Sequence, residues 1–366
     1  MRRFELGMTI DYASSWTVVD AVREFFQNAI DEEKENPENK MSFYYDEDSK
    51  TLSIGNLKSK LTPKTLLLGC SSKKDRSDLI GEHGEGYKVA TVVLLRNGIS
   101  VNIYNNESKE VWQSRVVRSR RYDADVVCFD IEKKIFSKKE NLCIDLVGIT
   151  PEMYKKIVDC NLHLQDDIGE FVETEVGRIL KNPKYSGMIF VEGLYVCTKS
   201  TIEDGYDFNA GEIQLDRDRG LVDTFDIKFA IASMYLSMGD MSYVAENIKS
   251  RDLEYISSKL KYLNLCKKES VKELSDMVYE DFMEEYGEDA IPVSSTSEFN
   301  MFANSGLKPV MVDSHINEVI RSTGRTFYDS IEVLDIDKEF EDWVSRNSFL
   351  LDDLEIQKLR FLWSKK

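Results

Sequence analysis

The sequence lacks any apolar run approaching the roughly 18 to 20 residues that a helix needs to span a bilayer. Its start, Met1-Arg2-Arg3, is basic, but no apolar stretch or small-residue cleavage site follows. We therefore expect neither a membrane partner nor a signal peptide. The 6 cysteines form no Cys-x-x-Cys pair and only 3 histidines are present, so neither a zinc site nor a disulfide framework is indicated. The cysteines are expected to be reduced thiols of a cytoplasmic protein.

Positive charge is also scarce. The chain has 48 Lys and Arg residues against 66 Asp and Glu residues, which gives a formal net charge of −18. Because nucleic-acid binding depends largely on cations that displace phosphate counterions, direct DNA binding is disfavoured. A local basic patch at residues 118–121 leaves two interpretations open, a basic contact surface or the more common solvated strand edge.

The apolar pattern predicts the N-terminal architecture. Residues 16–34 place apolar side chains on one helical face, and residues 41–45 and 51–54 alternate as a hairpin does. A second helix is predicted to open at a glycine-rich loop and to end at residues 96–98. Four strands are then predicted, at 99–104, 111–117, 125–129 and 142–146. This order indicates an α+β class, with a largely antiparallel mixed sheet that carries helices on one face.

The rest of the chain is expected to form further domains, since 366 residues exceed one small core. Thr150-Pro151 predicts a helix start, and strands are predicted at 188–197 and 212–215 before a helical part that begins near Phe225. After Glu269 the periodicity is helical, interrupted by two short apolar strands at 290–293 and 308–312 that indicate a small βα unit. The expected domains are 1–165, 166–265 and 266–366, the last mainly helical.

Three polar residues of the first helix, Glu24, Asn28 and Asp31, lie at positions i, i+4 and i+7 and therefore form one stripe. The common interpretation of such a stripe is a solvated face. Asparagine, however, is a poor helix former. Its amide oxygen is a hard ligand that suits Mg²⁺, and a carboxylate one turn away can orient or deprotonate a water that attacks a phosphate. The stripe is thus a candidate catalytic and metal site.

A glycine-rich loop follows about fifty residues later. Gly81, Gly84 and Gly86 give the pattern GxxGxG, which leads into Tyr87 and Lys88. Glycines permit a close approach in which backbone N–H groups and a helix N-terminus point at phosphate oxygens. A plain turn is the alternative. The loop is neither a Walker A sequence nor a clean dinucleotide fingerprint.

Together these motifs resemble the Bergerat ATP-binding fold of the GHKL superfamily, which includes gyrase B subunits, heat-shock chaperone ATPases, sensor histidine kinases and MutL-type proteins. The resemblance covers roughly residues 1–150 and implies ATP and Mg²⁺ as ligands. It implies that Glu24 activates water, Asn28 binds magnesium and Asp31 supports them. It further implies that the nucleotide contacts the loop and a mobile lid within 69–74; these residues are Ser72, Lys73, Gly81, His83, Gly84, Glu85, Gly86, Tyr87 and Lys88.

The sequence departs from the family pattern at the first glycine box, DxGxG, whose aspartate reads the adenine amino group. The matching stretch is Ile54-Gly55-Asn56 and has no aspartate there, so Asn56 is the candidate substitute and ATP the first candidate nucleotide. The late Gly-Thr box is also degraded, at Glu140-Asn141.

A cation from a following domain commonly contacts the γ-phosphate in this family. Arg217 and Arg219, within the charged segment 216–220, are the candidates, with Lys199 as another. A charged turn with internal ion pairs is the alternative for that segment. His163 and His315 are expected to be ordinary structural residues.

The leading hypothesis is a GHKL-type ATPase with slow turnover, in which Mg²⁺ and ATP close the lid and so regulate an unknown protein partner, with possible nucleotide-dependent homodimerisation. The alternative is a nucleotide-gated or catalytically inactive interaction module. A related alternative is an acidic inhibitor of a nucleic-acid enzyme, which would require acidic residues clustered on one face.

Overall fold

The computed structural model describes residues 1–66, 86–213, 224–263, 268–328, 336–347 and 350–364. The chain divides into two compact units, Met1–Met238 and Gly239–Lys366. The predicted α+β class, with a large antiparallel sheet and C-terminal helices, is confirmed. The finer division at residues 165 and 265 stays a prediction. Among the helices in these ranges, none combines the length and apolar character required to cross a bilayer.

The first unit is built on a seven-stranded sheet in which every neighbouring pair is antiparallel. The spatial order is β1-β6-β5-β4-β7-β3-β2. The sequence elements in chain order are β1 (Arg2–Thr9), α1 (Val18–Glu35), β2 (Met41–Asp46), β3 (Thr51–Asn56), α2 (Gly86–Arg96), β4 (Ser100–Asn105), β5 (Glu110–Ser119), β6 (Ala124–Lys133), β7 (Leu142–Val147) and α3 (Pro151–Asp159).

Helices α1 and α2 cover one face of this sheet. Apolar side chains of both helices, such as Phe25 and Val93, pack in one core with sheet residues such as Leu52, Ile103 and Leu146. Helix α1 begins after Thr17, which forms a capping box with Asp20. The core therefore fixes the relative position of the two helices that carry the sequence motifs.

The segment that leads into α1 is fixed by the end of α2. Arg96 donates hydrogen bonds to the carbonyl oxygens of Tyr12 (3.1 Å), Ala13 (3.1 Å) and Trp16 (3.3 Å). A guanidinium near a helix C-terminus also interacts favourably with the helix dipole. The start of α1 and the end of α2 are thus tied together.

A second sheet of five strands lies in the same unit, in the order β11-β10-β12-β9-β8. Its strands are β8 (Phe171–Glu173), β9 (Gly177–Leu180), β10 (Met188–Val191), β11 (Leu194–Thr198) and β12 (Gly205–Phe208), and α4 (Thr224–Ser237) follows. Only the β10–β12 pair is parallel among these described strands.

Two strand predictions in this region were wrong in detail. The single strand predicted at 188–197 is a hairpin that turns at Glu192 (φ 51°) and Gly193 (φ 77°), an arrangement typical of a tight two-residue hairpin turn. In the strand predicted at 212–215, Glu212 and Ile213 are turn or bend residues, and the last two positions lie outside the described residues.

The second unit is mainly helical. Its elements are α5 (Met241–Glu246), α6 (Ile256–Leu263), α7 (Lys268–Tyr286), β13 (Ala290–Val293), α8 (Thr296–Asn304), β14 (Lys308–Met311), α9 (Ser314–Ile320), α10 (Ile336–Asn347) and α11 (Asp353–Trp363). Strands β13 and β14 pair in parallel, and each is followed by a helix, as predicted. His315 is buried in α9, where a ring nitrogen lies 2.9 Å from the carbonyl oxygen of Ile248.

Candidate functional site

The two sequence motifs meet where Glu24 of α1 contacts Gly86, the first residue of α2. Glu24 is only 4% exposed. A Cβ placed on Gly86 would lie 3.0 Å from Glu24 Cδ and would overlap Glu24 Oε2. A side chain at position 86 would therefore force the Glu24 carboxylate to move, and with glycine there the carboxylate lies against the N-terminus of α2.

The polar stripe of α1 is enclosed rather than solvated. Besides Glu24, Asp31 is buried at 1% exposure, and Asn28 is partly buried. The reason is tertiary, because α1 is contacted by α2, α3, β2, β3 and β11, so little of its circumference faces water. The solvated-face interpretation of the stripe is wrong, and burying two carboxylates on one helix demands compensating interactions.

Asn28 is oriented by its own helix. Its Nδ2 donates a hydrogen bond of 2.7 Å to the carbonyl oxygen of Glu24, one turn earlier. With the amide nitrogen engaged there, Oδ1 is the side-chain atom suited to a hard cation such as Mg²⁺. Within the described ranges, no group of three or more His, Cys, Asp or Glu side chains forms a metal cluster. Mg²⁺ typically needs only one or two protein oxygens beside phosphates and water, so this donor set fits.

The start of α2 carries two further predicted residues. The hydroxyl of Tyr87 donates a 2.6 Å hydrogen bond to the carbonyl oxygen of Thr65, and burial raises the pKa of this hydroxyl. Lys88 is fully buried, with Nζ 5.7 Å from the centroid of the Tyr87 ring. Tyr87 therefore ties α2 to the 3-10 turn Pro63–Leu66, and Lys88 is a buried cation rather than a solvated one.

Asn56, the candidate base-reading residue, is buried at the end of β3. Its Nδ2 donates hydrogen bonds to the carbonyl oxygens of Ala29 (2.9 Å) and Asn39 (3.2 Å). Both amide hydrogens thus join β3 to α1 and to the segment after it. This leaves Oδ1 as the acceptor of the side chain, the role that an aspartate oxygen would have at this position.

Arg23 is a buried residue of the site that the sequence did not reveal. Its Nη1 donates a 2.7 Å hydrogen bond to the carbonyl oxygen of Tyr195 in β11 and lies 3.3 Å from Asp20 Oδ1. Its Nη2 lies 3.9 Å from Glu24 Oε1. The guanidinium therefore stands between the second sheet and the Glu24 carboxylate. No local signal could identify it, because Tyr195 is 172 positions away in the chain.

The remaining predicted residues are placed as follows. Lys199 follows β11 directly, and its backbone N–H donates to the carbonyl oxygen of Gly187 at 2.9 Å. A ring nitrogen of His163 lies 2.7 Å from the carbonyl oxygen of Glu192, and the ring packs near Phe26. The predicted roles of all site residues stay predictions. The predicted site residues that lie outside the described residues are Ser72, Lys73, Gly81, His83, Gly84, Glu85, Arg217 and Arg219.

No protein-family model matches the sequence, and no curated protein matches it. Among solved structures, the chain is similar to the ATPase and transducer domains of DNA topoisomerase II from Balamuthia mandrillaris, at 14% sequence identity and a TM-score of 0.29. The similarity covers 49% of this chain and 60% of that chain, so the chain spans less than two thirds of that structure. A likeness at this TM-score carries no argument about the site.

Proposed function

We propose that the chain binds ATP with Mg²⁺ between α1 and α2 and hydrolyses it slowly. The observation that carries the proposal is the buried Glu24 carboxylate, which lies against Gly86 at the N-terminus of α2. A helix N-terminus offers backbone N–H groups and a favourable dipole to phosphate oxygens. An acidic side chain fixed at that end is placed to act on a water beside a bound phosphate.

In the proposed reaction, Glu24 orients the attacking water and accepts its proton. Asn28 Oδ1 would hold the metal ion. The bond from Asn28 Nδ2 to the Glu24 carbonyl oxygen already orients the Asn28 side chain for this role. Bound Mg²⁺ would offset the negative charge of the phosphates. Asp31, Gly81, Gly84, and the residues between the glycines complete the proposed nucleotide contacts.

For the base, we propose that Asn56 Oδ1 accepts a hydrogen bond from the adenine amino group. Its two amide hydrogens are held by the carbonyl oxygens of Ala29 and Asn39, which orients the side chain and leaves Oδ1 as its acceptor. A neutral acceptor of this kind favours adenine over guanine, which presents a carbonyl oxygen instead of an amino group at the corresponding position.

Regulation of a partner is proposed to run through the second sheet. Arg23 contacts both Glu24 and the backbone of Tyr195 in β11. A movement of Glu24 on nucleotide binding or hydrolysis would therefore be transmitted to that sheet through Arg23. The lid residues Ser72 and Lys73 are proposed to close over the nucleotide, and Arg217 or Arg219 to contact its γ-phosphate. A nucleotide-dependent homodimer belongs to the same proposal.

The cytoplasm is the proposed setting. The described cysteines Cys128, Cys143, Cys160 and Cys197 are free thiols, a state that a reducing compartment maintains.

A second candidate, an interaction module without turnover, is favoured by one feature. Asn56 uses its amide to brace the backbone, which a purely structural residue would also do. Calorimetry with ATP, ADP and GTP in the presence of Mg²⁺, together with a phosphate-release assay, separates the candidates, because the enzyme binds ATP and releases phosphate, whereas the module releases none.

The decisive variant is Glu24→Gln, which keeps the shape of the side chain and removes its charge. We expect ATP affinity within about threefold of wild type and phosphate release lower by about 100-fold or more, the range for loss of a general base. Glu35→Gln makes the same charge change at the exposed end of α1 and should leave both quantities unchanged. Equal phosphate release by Glu24→Gln and wild type would refute the hydrolytic role.

A further inference from the structure

Strands β5 and β6 extend beyond their neighbour β4 as an arm. β4 pairs with β5 only from Asn102 opposite Gln113 to Asn105 opposite Glu110. Residues 115–119 of β5 pair with β6 alone. We define residues 115–125, the outer part of this hairpin, as the arginine arm. Its β5 edge is therefore open along five residues in the described part of the chain.

The arginine arm is positive within an acidic protein. It contains four arginines and two aspartates, a net charge of +2 against −18 for the whole chain. Arg118 pairs with Asp123 (2.7 Å) and Asp125 (3.8 Å). Of the described carboxylates, Arg115 approaches Asp130 alone, at 3.6 Å, and that carboxylate already accepts two bonds from Arg3.

Two cations at the tip, Arg120 and Arg121, have no acidic partner in the described part of the chain. Across the described residues, no carboxylate lies within ion-pair distance of Arg120 or Arg121, and both side chains belong to exposed residues. The Arg121 guanidinium lies 5.2 Å from the centroid of the Tyr122 ring, and Tyr122 is itself 50% exposed. The tip thus presents free guanidinium groups beside an accessible aromatic face.

We propose that the arginine arm binds the phosphate backbone of nucleic acid, with single strands preferred. Guanidinium forks match phosphate oxygens in two-point contacts, and every cation of the arm is an arginine rather than a lysine. β5 rises about 3.3 Å per residue, so Arg115 to Ser119 spans about 13 Å, and Arg120 and Arg121 follow in the turn, which gives contact with a few phosphates. Tyr122 offers a surface on which an unpaired base can stack.

The net charge disfavours DNA binding by the chain as a whole, and the arginine arm is the local exception. Binding at the arm does not depend on the ATP site. The acidic remainder of the chain repels phosphate, so contact is confined to the arm and involves few phosphates. Binding is therefore weak, and its salt dependence is set by those few phosphates. For single strands the logarithm of the affinity falls by about 0.7 per contacted phosphate for each tenfold rise in salt.

The test uses the full chain and fluorescence anisotropy with labelled single-stranded and duplex DNA of about 20 nucleotides, from about 20 to 200 mM salt. The double variant Arg120→Gln/Arg121→Gln should lose about tenfold or more in affinity, and its salt slope should fall by about 1.4, two phosphates' worth. Tyr122→Ser should weaken single-strand binding more than duplex binding, because only unpaired bases stack on the ring.

The matched control is Lys155→Gln/Lys156→Gln, which removes two exposed charges from α3 and should leave affinity unchanged. Glu24→Gln should also bind DNA like wild type, so failure here is distinguishable from failure of the ATPase proposal. The proposal is overturned if wild type does not bind at low salt, or if both double variants lose affinity equally. Competition by polyglutamate as effective as by DNA would overturn it in favour of an acidic protein partner.

Discussion

The two faces of the seven-stranded sheet both bury carboxylates, but they hold them differently. On the face away from the helices, Asp130 is 3% exposed and accepts bonds of 2.7 and 2.9 Å from Arg3. On the same face Asp145 is bonded by Lys138 at 2.8 Å and by Ser53 at 2.7 Å. On the helix face, the guanidinium of Arg23 lies 3.9 Å from Glu24, beyond hydrogen-bonding distance.

Burial of an acid therefore does not by itself indicate function. Arg3 holds the pKa of Asp130 below its usual range, chiefly through the hydrogen bond between them. Burial lowers the pKa of Lys138, but the hydrogen bond to Asp145 and the charges of Cys143, Asp145 and Tyr104 together raise it by more, so the net direction is upward. In each of these pairs a cation and a carboxylate offset each other's charge. Glu24 packs closely on Gly86, at a helix end that favours anions.

On the helix face, Asn28→Ala should change ligand binding strongly. Removing Oδ1 should lower Mg²⁺-dependent ATP affinity by about 10- to 100-fold, the range for loss of a group that supports a metal site. Affinity measured in EDTA should change little, because the metal is then absent from both proteins. Isothermal titration calorimetry with and without Mg²⁺ provides both values.

The control for this variant is Asn97→Ala at the end of α2. Asn97 makes the same kind of bond, from Nδ2 to the Val93 carbonyl oxygen at 2.8 Å, so it reports the cost of losing such a bond away from the site. If Asn28→Ala lost as much ATP affinity in EDTA as in Mg²⁺, Asn28 would act through packing and not as a metal ligand. The contrast between the two faces of the sheet would then disappear.

A double-mutant cycle between Gly86 and Glu24 tests the packing itself without any assay of activity. Gly86→Ala should lower the free energy of unfolding by about 1 to 3 kcal/mol, because its Cβ overlaps the Glu24 carboxylate. In the Glu24→Ala background the space is open, and the same change should be nearly neutral or stabilising, since alanine is the better helix former. Urea unfolding of the four proteins gives a coupling energy in that range. Additive effects would mean that the two residues do not touch.

Much of the fold could be predicted because its signals are local. The helix predicted at 16–34 is α1 at Val18–Glu35, and the four strands after residue 98 were found within a few residues. Strand β1 was missed, although Phe4, Leu6 and Met8 alternate with polar residues and pack in the core. The turn at Glu192-Gly193 was likewise a local signal that a longer apolar run obscured.

The site was less predictable because its determinants are tertiary. Spacing placed Glu24, Asn28 and Asp31 in one stripe, but only the elements packed around α1 decide that the stripe is buried. The reason for glycine at position 86 is a side chain 62 positions earlier. Arg23 resembles any solvated helix cation until β11 supplies the Tyr195 carbonyl oxygen. Such contacts leave no periodicity in a single sequence.

On the sheet face away from the helices, the ion pair of Asp130 and Arg3 should make the stability of the protein depend modestly on pH. Asp130 has a depressed pKa because of Arg3, with smaller contributions from Arg115 and the N-terminal amine. The unfolded chain, whose aspartates titrate near 3.9, therefore binds more protons than the folded chain just below that pH. The stability that the pair contributes is complete above about pH 4 and is lost as the pH falls through the folded pKa.

Asp130→Asn should accordingly destabilise the protein by about 1 kcal/mol at about pH 6, and the difference from wild type should shrink toward about pH 2. The value is modest because the Arg3 side chain is 43% exposed and water screens the pair. Asp159→Asn is the control, since the pKa of Asp159 is lowered by Lys155 at a more exposed site, and it should show a smaller difference. Urea unfolding across this pH range measures both. If the stability difference between wild type and Asp130→Asn stayed constant with pH, Asp130 would act through packing and not through charge. The contact of Asp130 would then resemble the packed contact between Glu24 and Gly86.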